Sequence, residues 1–217
     1  MKILFQGDSI TDARRTDIGL EGFFGAGYVL LIKSHLEFSE SAVTVINRGV
    51  SGNRITDLYA RWKSDCLNLA PDVLTILIGV NDVWREADSQ SGVDPKQFES
   101  VYRLLLNDTL NVHPKTQIIL MGAYLLRGSV PEESEWGFDR FYDEVTKRAE
   151  IAEKLAREYQ LPYIDLQSEF DRHITASMPA SHWSEDGVHP TPAGHELIKR
   201  AWLECFQQLK GESKDGR

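Results

Sequence analysis

The sequence has few cysteines, a deficit of basic residues and no long apolar run. Its 217 residues include two cysteines, Cys66 and Cys205, which lack the CxxC spacing of a metal or redox motif. They are expected to be two buried thiols in helices. Acidic residues outnumber basic ones by 33 to 24, which gives a net charge of −9. Such an acidic chain argues against nucleic acids and anionic membranes as partners, because both require basic patches.

Targeting and membrane signals are also missing from the sequence. No apolar run approaches the roughly 18 residues of a membrane span. The N-terminus lacks the charged, apolar and small-residue regions of a signal peptide. The sequence therefore predicts a cytoplasmic chain without membrane insertion. Its length suits one large domain, and no repeat or linker divides it. Residues 1–210 are predicted to form this domain, and residues 211–217 a flexible tail.

Short apolar runs alternate with amphipathic segments along the chain. The runs predicted as strands are residues 2–6, 43–48, 73–78, 117–121 and 162–166. The segments predicted as helices are residues 25–38, 54–69, 95–111, 138–159, 168–176 and 191–209. Loops are expected at 13–24, 83–93 and 177–190, and residues 124–136 show no clear pattern. The alternation predicts an α/β fold, in which helices cover both faces of a five-stranded parallel sheet.

Small and polar residues gather in four turns of this predicted fold. The four turns are Gly7-Asp8-Ser9, Gly49–Asn53, Gly79–Asp82 and Asp186–Pro190. The first three follow strands, and the fourth precedes the last helix. Because the carboxyl ends of parallel strands meet at one edge of the sheet, we expect a single crevice to collect these residues.

Together the four turns supply the groups that acyl transfer needs. Ser9 offers a nucleophilic hydroxyl, and His189 offers a base whose pKa lies near neutrality. Asp186 precedes His189 by three residues, so its carboxylate can reach Nδ1 and leave Nε2 for Ser9. The N–H groups of Ser9 and Gly52 and the side-chain amide of Asn81 can stabilise an oxyanion. Each residue alone is explained more simply as a cap or turn residue, so the argument depends on their combination.

The same residues carry a family resemblance. The blocks GDSIT at 7–11, GVSGN at 49–53, GVND at 79–82 and DGVHP at 186–190 resemble the motif blocks of SGNH, or GDSL-type, hydrolases. The resemblance spans nearly the whole chain. It implies a flavodoxin-like α/β/α sandwich, a serine mechanism and no metal or other cofactor. It also implies Ser9, His189 and Asp186 as a triad, with Gly52 and Asn81 in the oxyanion hole.

A narrower resemblance concerns the substrate. The stretches GYV at 27–29, RW at 61–62, GVNDVWR at 79–85 and HW at 182–183 are similar to those of bacterial GDSL esterases. Those esterases remove acetyl groups from xylo-oligosaccharides, so the resemblance implies a small-molecule ester of a carbohydrate as substrate. Asp8, Trp84 and Trp183 are candidates for its pocket. The two tryptophans are also compatible with loop packing or with a subunit interface.

Other functions remain open at this point. The superfamily also includes lysophospholipases and thioesterases, which act on longer acyl chains. A site closed by residues 12–24 and 124–137 would favour short ones. An α/β-hydrolase using Ser51 would need a GxSxG motif, from which residues 49–52 depart.

Two further hypotheses come from different classes. A binding module would hold phosphate at the glycine-rich turn 49–53, although that turn lacks the GxGxxG spacing. A metal-assisted hydrolase would use Asp8, Asp186 and His189. Aromatic residues such as Trp136 and Tyr142 would suit an interface between copies of the chain if they are exposed.

Overall fold

A parallel sheet of five strands organises the structure, a computed structural model that describes residues 1–15, 23–39 and 42–215. The strands are β1 (Lys2–Gly7), β2 (Thr44–Gly49), β3 (Val73–Leu77), β4 (Gln117–Met121) and β5 (Tyr163–Ile164). The first helices are α1 (Ser9–Asp12), α2 (Tyr28–Ser39), α3 (Ile55–Ala60), α4 (Trp62–Asp65), α5 (Val80–Ser89) and α6 (Pro95–Val112). The later helices are α7 (Ser129–Glu133), α8 (Gly137–Tyr159), α9 (Leu166–His173), α10 (Ala180–Trp183) and α11 (Pro192–Asp215).

The strand order is β2-β1-β3-β4-β5, and every pairing is parallel. This is the flavodoxin-like order, whose direction reverses between β1 and β3. In the register of the sheet, Gly7 of β1 lies opposite Gly49 of β2 and Leu77 of β3. The turns that follow these three strands therefore start at the same level. The predicted sheet of five parallel strands is confirmed.

Two apolar layers cover the two faces of the sheet. One contains Phe5 and side chains of α2, α9 and α11, and the other contains Leu4 and side chains of α3, α4 and α6. Helix α8 contributes to both layers. Alternate residues of each strand point to opposite faces, so neighbours such as Leu4 and Phe5 belong to different layers and are both fully buried. The predicted three-layer sandwich follows from this double burial.

Two stretches in which no helix was predicted do contain helices. Residues 83–93 were expected to form a loop, but α5 occupies Val80–Ser89. Its buried residues are confined to Val80–Val83. The rest of the helix is mostly polar, so the sequence lacks the repeated apolar positions by which a helix is recognised. In the stretch 124–136, residues 124–126 are buried and α7 follows them. These residues pack on the site described below.

Several predicted boundaries also move. The segment 54–69 is divided into α3, α4 and a 3₁₀ turn, and α10 lies within the predicted loop 177–190. Strand β5 is only two residues long, because Asp165 caps α9 by accepting a hydrogen bond from the N–H of Ser168. The last helix continues to Asp215, and the last two residues of the predicted tail, 216–217, lie outside the described part. Of the loop predicted at 13–24, residues 16–22 lie outside the described part.

Three expectations, about membrane spans, cysteine burial and aromatic exposure, can be compared with the structure. Among the described residues, no helix is long and apolar enough to cross a membrane. Cys66 is buried, as expected, but it lies just after α4, and Cys205 in α11 is only half-buried. Trp136 and Tyr142 are also half-buried and pack against the core, so neither is the exposed aromatic that an interface would favour.

Candidate active site

Ser9 lies where β1 ends and the one-turn helix α1 begins. The carboxylate of Asp8 caps this helix, because its Oδ1 accepts a hydrogen bond of 3.0 Å from the N–H of Ile10. The backbone of β1 lies close to that of β3 here, since a Cβ on Gly7 would come within 2.5 Å of the Leu77 carbonyl oxygen. Only glycine allows the strand to turn here against β3. The local sequence thus presents Ser9 at the carboxyl edge of the sheet.

The turns after β2 and β3 meet beside Ser9. Gly52 has a φ of +79°, a conformation that glycine adopts without strain. The amide Nδ2 of Asn81 donates to the carbonyl oxygen of Asn53 at 3.3 Å, which joins the two turns. Arg61 supports the same turn through a 2.8 Å hydrogen bond from Nε to Oδ1 of Asn53. The residues expected to form an oxyanion hole therefore come from adjacent, mutually bonded turns.

His189 completes the arrangement from the turn that precedes α11. Its Nε2 lies 2.9 Å from Oγ of Ser9, and its Nδ1 lies 2.7 Å from Oδ2 of Asp186. The other carboxyl oxygen of Asp186 accepts hydrogen bonds from the N–H groups of Val188 and His189, at 2.9 and 2.8 Å. The three side chains form a continuous chain of hydrogen bonds from a hydroxyl to a carboxylate. This geometry can activate a serine as a nucleophile.

The stretch after β4 holds the His189 turn in place, a role that the sequence pattern did not reveal. Tyr124 donates its hydroxyl to the carbonyl oxygen of Val188 at 2.9 Å. The N–H groups of Leu126 and Val130 donate to the carbonyl oxygens of Gly187 and Asp186. Gly187 has a φ of +99°, which the tight turn requires. Backbone contacts of this kind leave little trace in side-chain patterns, so residues 124–130 looked irregular.

The electrostatics of the three groups agree with their geometry. The hydrogen bond that His189 donates to Asp186 raises the pKa of His189, and this effect outweighs partial burial, which would lower the pKa. Partial burial would raise the pKa of Asp186, but hydrogen bonds from the ring and backbone of His189 bring it below the ordinary value. Burial raises the pKa of Asp8 to about 6 despite the hydrogen bond from Ile10. Asp186 is therefore ionised at neutral pH, as a partner for the imidazole must be.

A cavity of about 330 Å³ opens beside Ser9 and His189. Its other polar lining residues are Asp12, Arg14, Ser51, Glu185 and His195. Most of these were absent from the predicted site, because they lie on four different segments and no motif joins them. Gly52 and Asn81 are not part of this lining. Of the expected oxyanion donors, only Ser9 therefore lines the cavity.

The three residues predicted for the substrate pocket do not line this cavity. Asp8 is buried as the cap of α1, and Trp183 is only 8% exposed, with its Nε1 donating to the carbonyl oxygen of Met178. Both side chains are thus buried, and neither lines the cavity beside Ser9. Trp84 is half-buried, and its ring centroid lies 6.1 Å from that of His189. It borders a separate groove beside α7.

The alternative hypotheses find less support in this geometry. Ser51 lines the cavity but His189 contacts Ser9 instead. Asp8 and Asp186 do not converge with His189 on a common point, and no group of three potential ligands in the described ranges is arranged to hold a metal ion. Asp186 instead bonds to the ring that a metal would need.

Comparison with known proteins identifies the class. The family model of the GDSL-like lipases and acylhydrolases matches residues 5–197, and the chain belongs to this family. The chain is a carboxylic ester hydrolase. The resemblance noted from the four motif blocks is thereby confirmed.

Particular relatives extend the comparison. An acetylxylan esterase from Geobacillus stearothermophilus is 34% identical over 213 residues, which cover 93% of this chain and 92% of that protein. Its crystal structure has a TM-score of 0.81 and covers 94% of this chain and 93% of that one at 32% identity. A structure from Parabacteroides merdae, described as a GDSL-like lipase, has a TM-score of 0.83 at 35% identity and covers 94% of both chains.

Proposed function

We propose that this protein is a serine esterase that hydrolyses acetyl esters of carbohydrates through a Ser9–His189–Asp186 triad and an acyl-enzyme. One observation carries the mechanism: the unbroken chain of hydrogen bonds from Oγ of Ser9 through His189 to Asp186, with steps of 2.9 and 2.7 Å. The ionised Asp186 keeps the proton of the imidazole on Nδ1. The lone pair of Nε2 then faces the hydroxyl of Ser9.

The reaction proceeds in two steps. Ser9 attacks the carbonyl carbon of the ester as its proton passes to Nε2 of His189. The resulting tetrahedral oxyanion is stabilised by the N–H groups of Ser9 and Gly52 and by the amide of Asn81. His189 then protonates the leaving alcohol and leaves Ser9 acylated. Water, deprotonated by His189, releases the acid and restores the serine.

Asn81 provides a test of the oxyanion hole. We expect Asn81→Ala to lower kcat by about 10²–10³-fold, the usual cost of one lost donor, while KM changes little. The amide of Asn81 stabilises the negative charge of the oxyanion, which develops only in the transition state. Its loss should therefore leave the binding of the substrate nearly unchanged. Steady-state kinetics with p-nitrophenyl acetate measures both constants.

Asn107→Ala is the matched control, since Asn107 is exposed on α6 and bonds to Tyr159. The loss of the Asn81–Asn53 hydrogen bond also affects stability, so the melting temperature is recorded for both variants. A large rise in KM at unchanged kcat would contradict the oxyanion role of Asn81.

The substrate proposal is supported by the relatives and by the cavity. The Geobacillus protein is named an acetylxylan esterase, and this chain matches nearly all of it. Arg14, Glu185 and Ser51 bring polar groups of both charges to the cavity beside Ser9, where alanine and proline side chains supply apolar surface as well. These polar groups can form hydrogen bonds with an alcohol that carries several hydroxyl groups.

Comparing acyl lengths tests this proposal. We expect p-nitrophenyl acetate to be hydrolysed at least tenfold more efficiently than the octanoate, because in the proposed binding mode the alcohol, and not the acyl chain, occupies the cavity beside Ser9. Acetate release from acetylated xylo-oligosaccharides, measured beside these esters, examines the carbohydrate half. Faster turnover of the octanoate would instead favour a lysophospholipase or thioesterase. The cytoplasmic location and the association of the chain with itself stay predictions.

A further inference from the structure

His195 is a buried polar residue beside the triad for which the mechanism above has no role. It is the fourth residue of α11, is 8% exposed and lines the cavity next to Ser9 and His189. A buried imidazole needs partners for both ring nitrogens, since an unpaired polar group is costly away from water. The structure supplies a partner from the protein for Nδ1.

The contact at Nδ1 determines where the proton of the ring lies. The backbone N–H of Tyr28 donates to Nδ1 at 3.1 Å, so this nitrogen must carry a lone pair. Burial, together with a smaller effect of the nearby His189, lowers the pKa of His195 to about 4. The ring is therefore neutral at pH 7. A neutral imidazole with an acceptor at Nδ1 has its proton on Nε2, which makes Nε2 a hydrogen-bond donor.

The packing around His195 restricts the orientation of this donor. The ring stacks on Tyr28, with centroids 6.3 Å apart and an interplanar angle of 22°. A Cβ on Gly27 would come within 2.7 Å of Cε1, so the backbone of that glycine contacts the ring closely. The hydroxyl of Tyr28 lies 2.9 Å from Oγ1 of Thr11, which belongs to the same short helix as Ser9. The donor is thus held in a constant position relative to the nucleophile.

We propose that Nε2–H of His195 donates a hydrogen bond to an oxygen atom of the alcohol half of the ester, and so selects hydroxylated alcohols over apolar ones. This inference rests on the proposed function, because an acetyl group fills only a small part of a 330 Å³ cavity and leaves the rest to the alcohol. Arg14, Ser51 and Glu185 also line the cavity but are exposed. Water competes for exposed groups, whereas a buried donor distinguishes a ligand that satisfies it from one that does not.

Two substitutions separate the donor from the structural contact. Asparagine at position 195 retains an acceptor near the place of Nδ1 for the N–H of Tyr28 but has no group at Nε2. Glutamine retains a donor near the place of Nε2 but loses that acceptor. The quantity measured is the ratio of kcat/KM for acetylated xylo-oligosaccharides to kcat/KM for p-nitrophenyl acetate, whose leaving group has no hydroxyl groups.

We expect His195→Asn to lower this ratio about tenfold, the size of one net hydrogen bond, and His195→Gln to lower it by less than threefold. His35→Asn is the matched control, because His35 is exposed on α2, and it should leave the ratio unchanged. An unchanged ratio in His195→Asn would overturn the inference. An equal fall in both variants at position 195 would also overturn it, since the contact with Tyr28 would then be what matters.

A binding measurement covers the case in which the variants fold poorly. Xylobiose is titrated into the Ser9→Ala protein, and the imidazole nitrogens are followed by NMR. The Nε2 resonance of His195 should shift on binding, while those of His35 should not. Binding without such a shift overturns the inference. If the unaltered protein hydrolyses neither ester, the proposed function itself fails, whereas normal hydrolysis with an unmoved ratio contradicts only the role of His195.

Discussion

Replacing Ser9 by alanine is expected to lower kcat for p-nitrophenyl acetate by about 10⁴–10⁶-fold. The variant keeps the cavity and the oxyanion donors but has no atom that can attack the ester. His189 would retain its bond to Asp186 and could act only on water. Initial rates of both proteins, measured with and without a chelator, give the effect.

Ser51→Ala serves as the comparison for Ser9→Ala. Ser51 lines the same cavity, so its loss is expected to reduce kcat/KM by no more than about tenfold, the cost of one hydrogen bond to substrate. Equal activity in the Ser9→Ala and unaltered proteins would remove Ser9 as the nucleophile. Activity lost in chelator and restored by a divalent ion would favour the metal-assisted mechanism instead.

Replacing Asp186 by asparagine is expected to lower kcat by about 10⁴-fold. Oδ1 of Asp186 accepts two backbone N–H bonds, and asparagine can keep these with its own oxygen. Its amide NH₂ then faces Nδ1 of His189 and forces the proton of the ring onto Nε2. In this tautomer the imidazole donates to Ser9 and cannot accept its proton. Steady-state kinetics measures the loss, and Asp171→Asn, a change at an exposed aspartate, is the control.

The pH profile of the same variant checks the cause of its loss. Catalysis needs neutral His189, so kcat/KM should fall as the pH decreases through the pKa of this residue. In the unaltered protein the bond to Asp186 raises that pKa, so the midpoint should lie above the pH at which an ordinary histidine titrates. Without the carboxylate the midpoint should move to lower pH, because the imidazolium loses its partner. A midpoint that moves upward would show that Asp186 does not stabilise the charged ring.

Elements whose sequence pattern follows from their own burial were predicted, and those that depend on distant contacts were not. Strands β1 and β3 are buried on both faces, so their runs of apolar residues are easily recognised. Helix α5 was missed because only its first turn is buried, and the rest of its surface is polar. Trp183 was considered for the substrate pocket because the HW stretch at 182–183 resembles that of bacterial GDSL esterases. Its burial depends on contacts with residues such as Met178 and His173, which the sequence does not display.

The sequence by itself determined the layers of the fold and the residues that are proposed to react. Burial on both faces imposes an unbroken apolar pattern on a strand, and chemistry restricts which residues can attack, accept a proton or stabilise an oxyanion. Only the tertiary structure decided which groups share a cavity and which backbone contacts hold the His189 turn. Tyr124, Tyr28 and His195 act through contacts with segments as many as 167 residues away in sequence. Such contacts depend on how the chain is packed, and packing leaves no fixed spacing in the sequence.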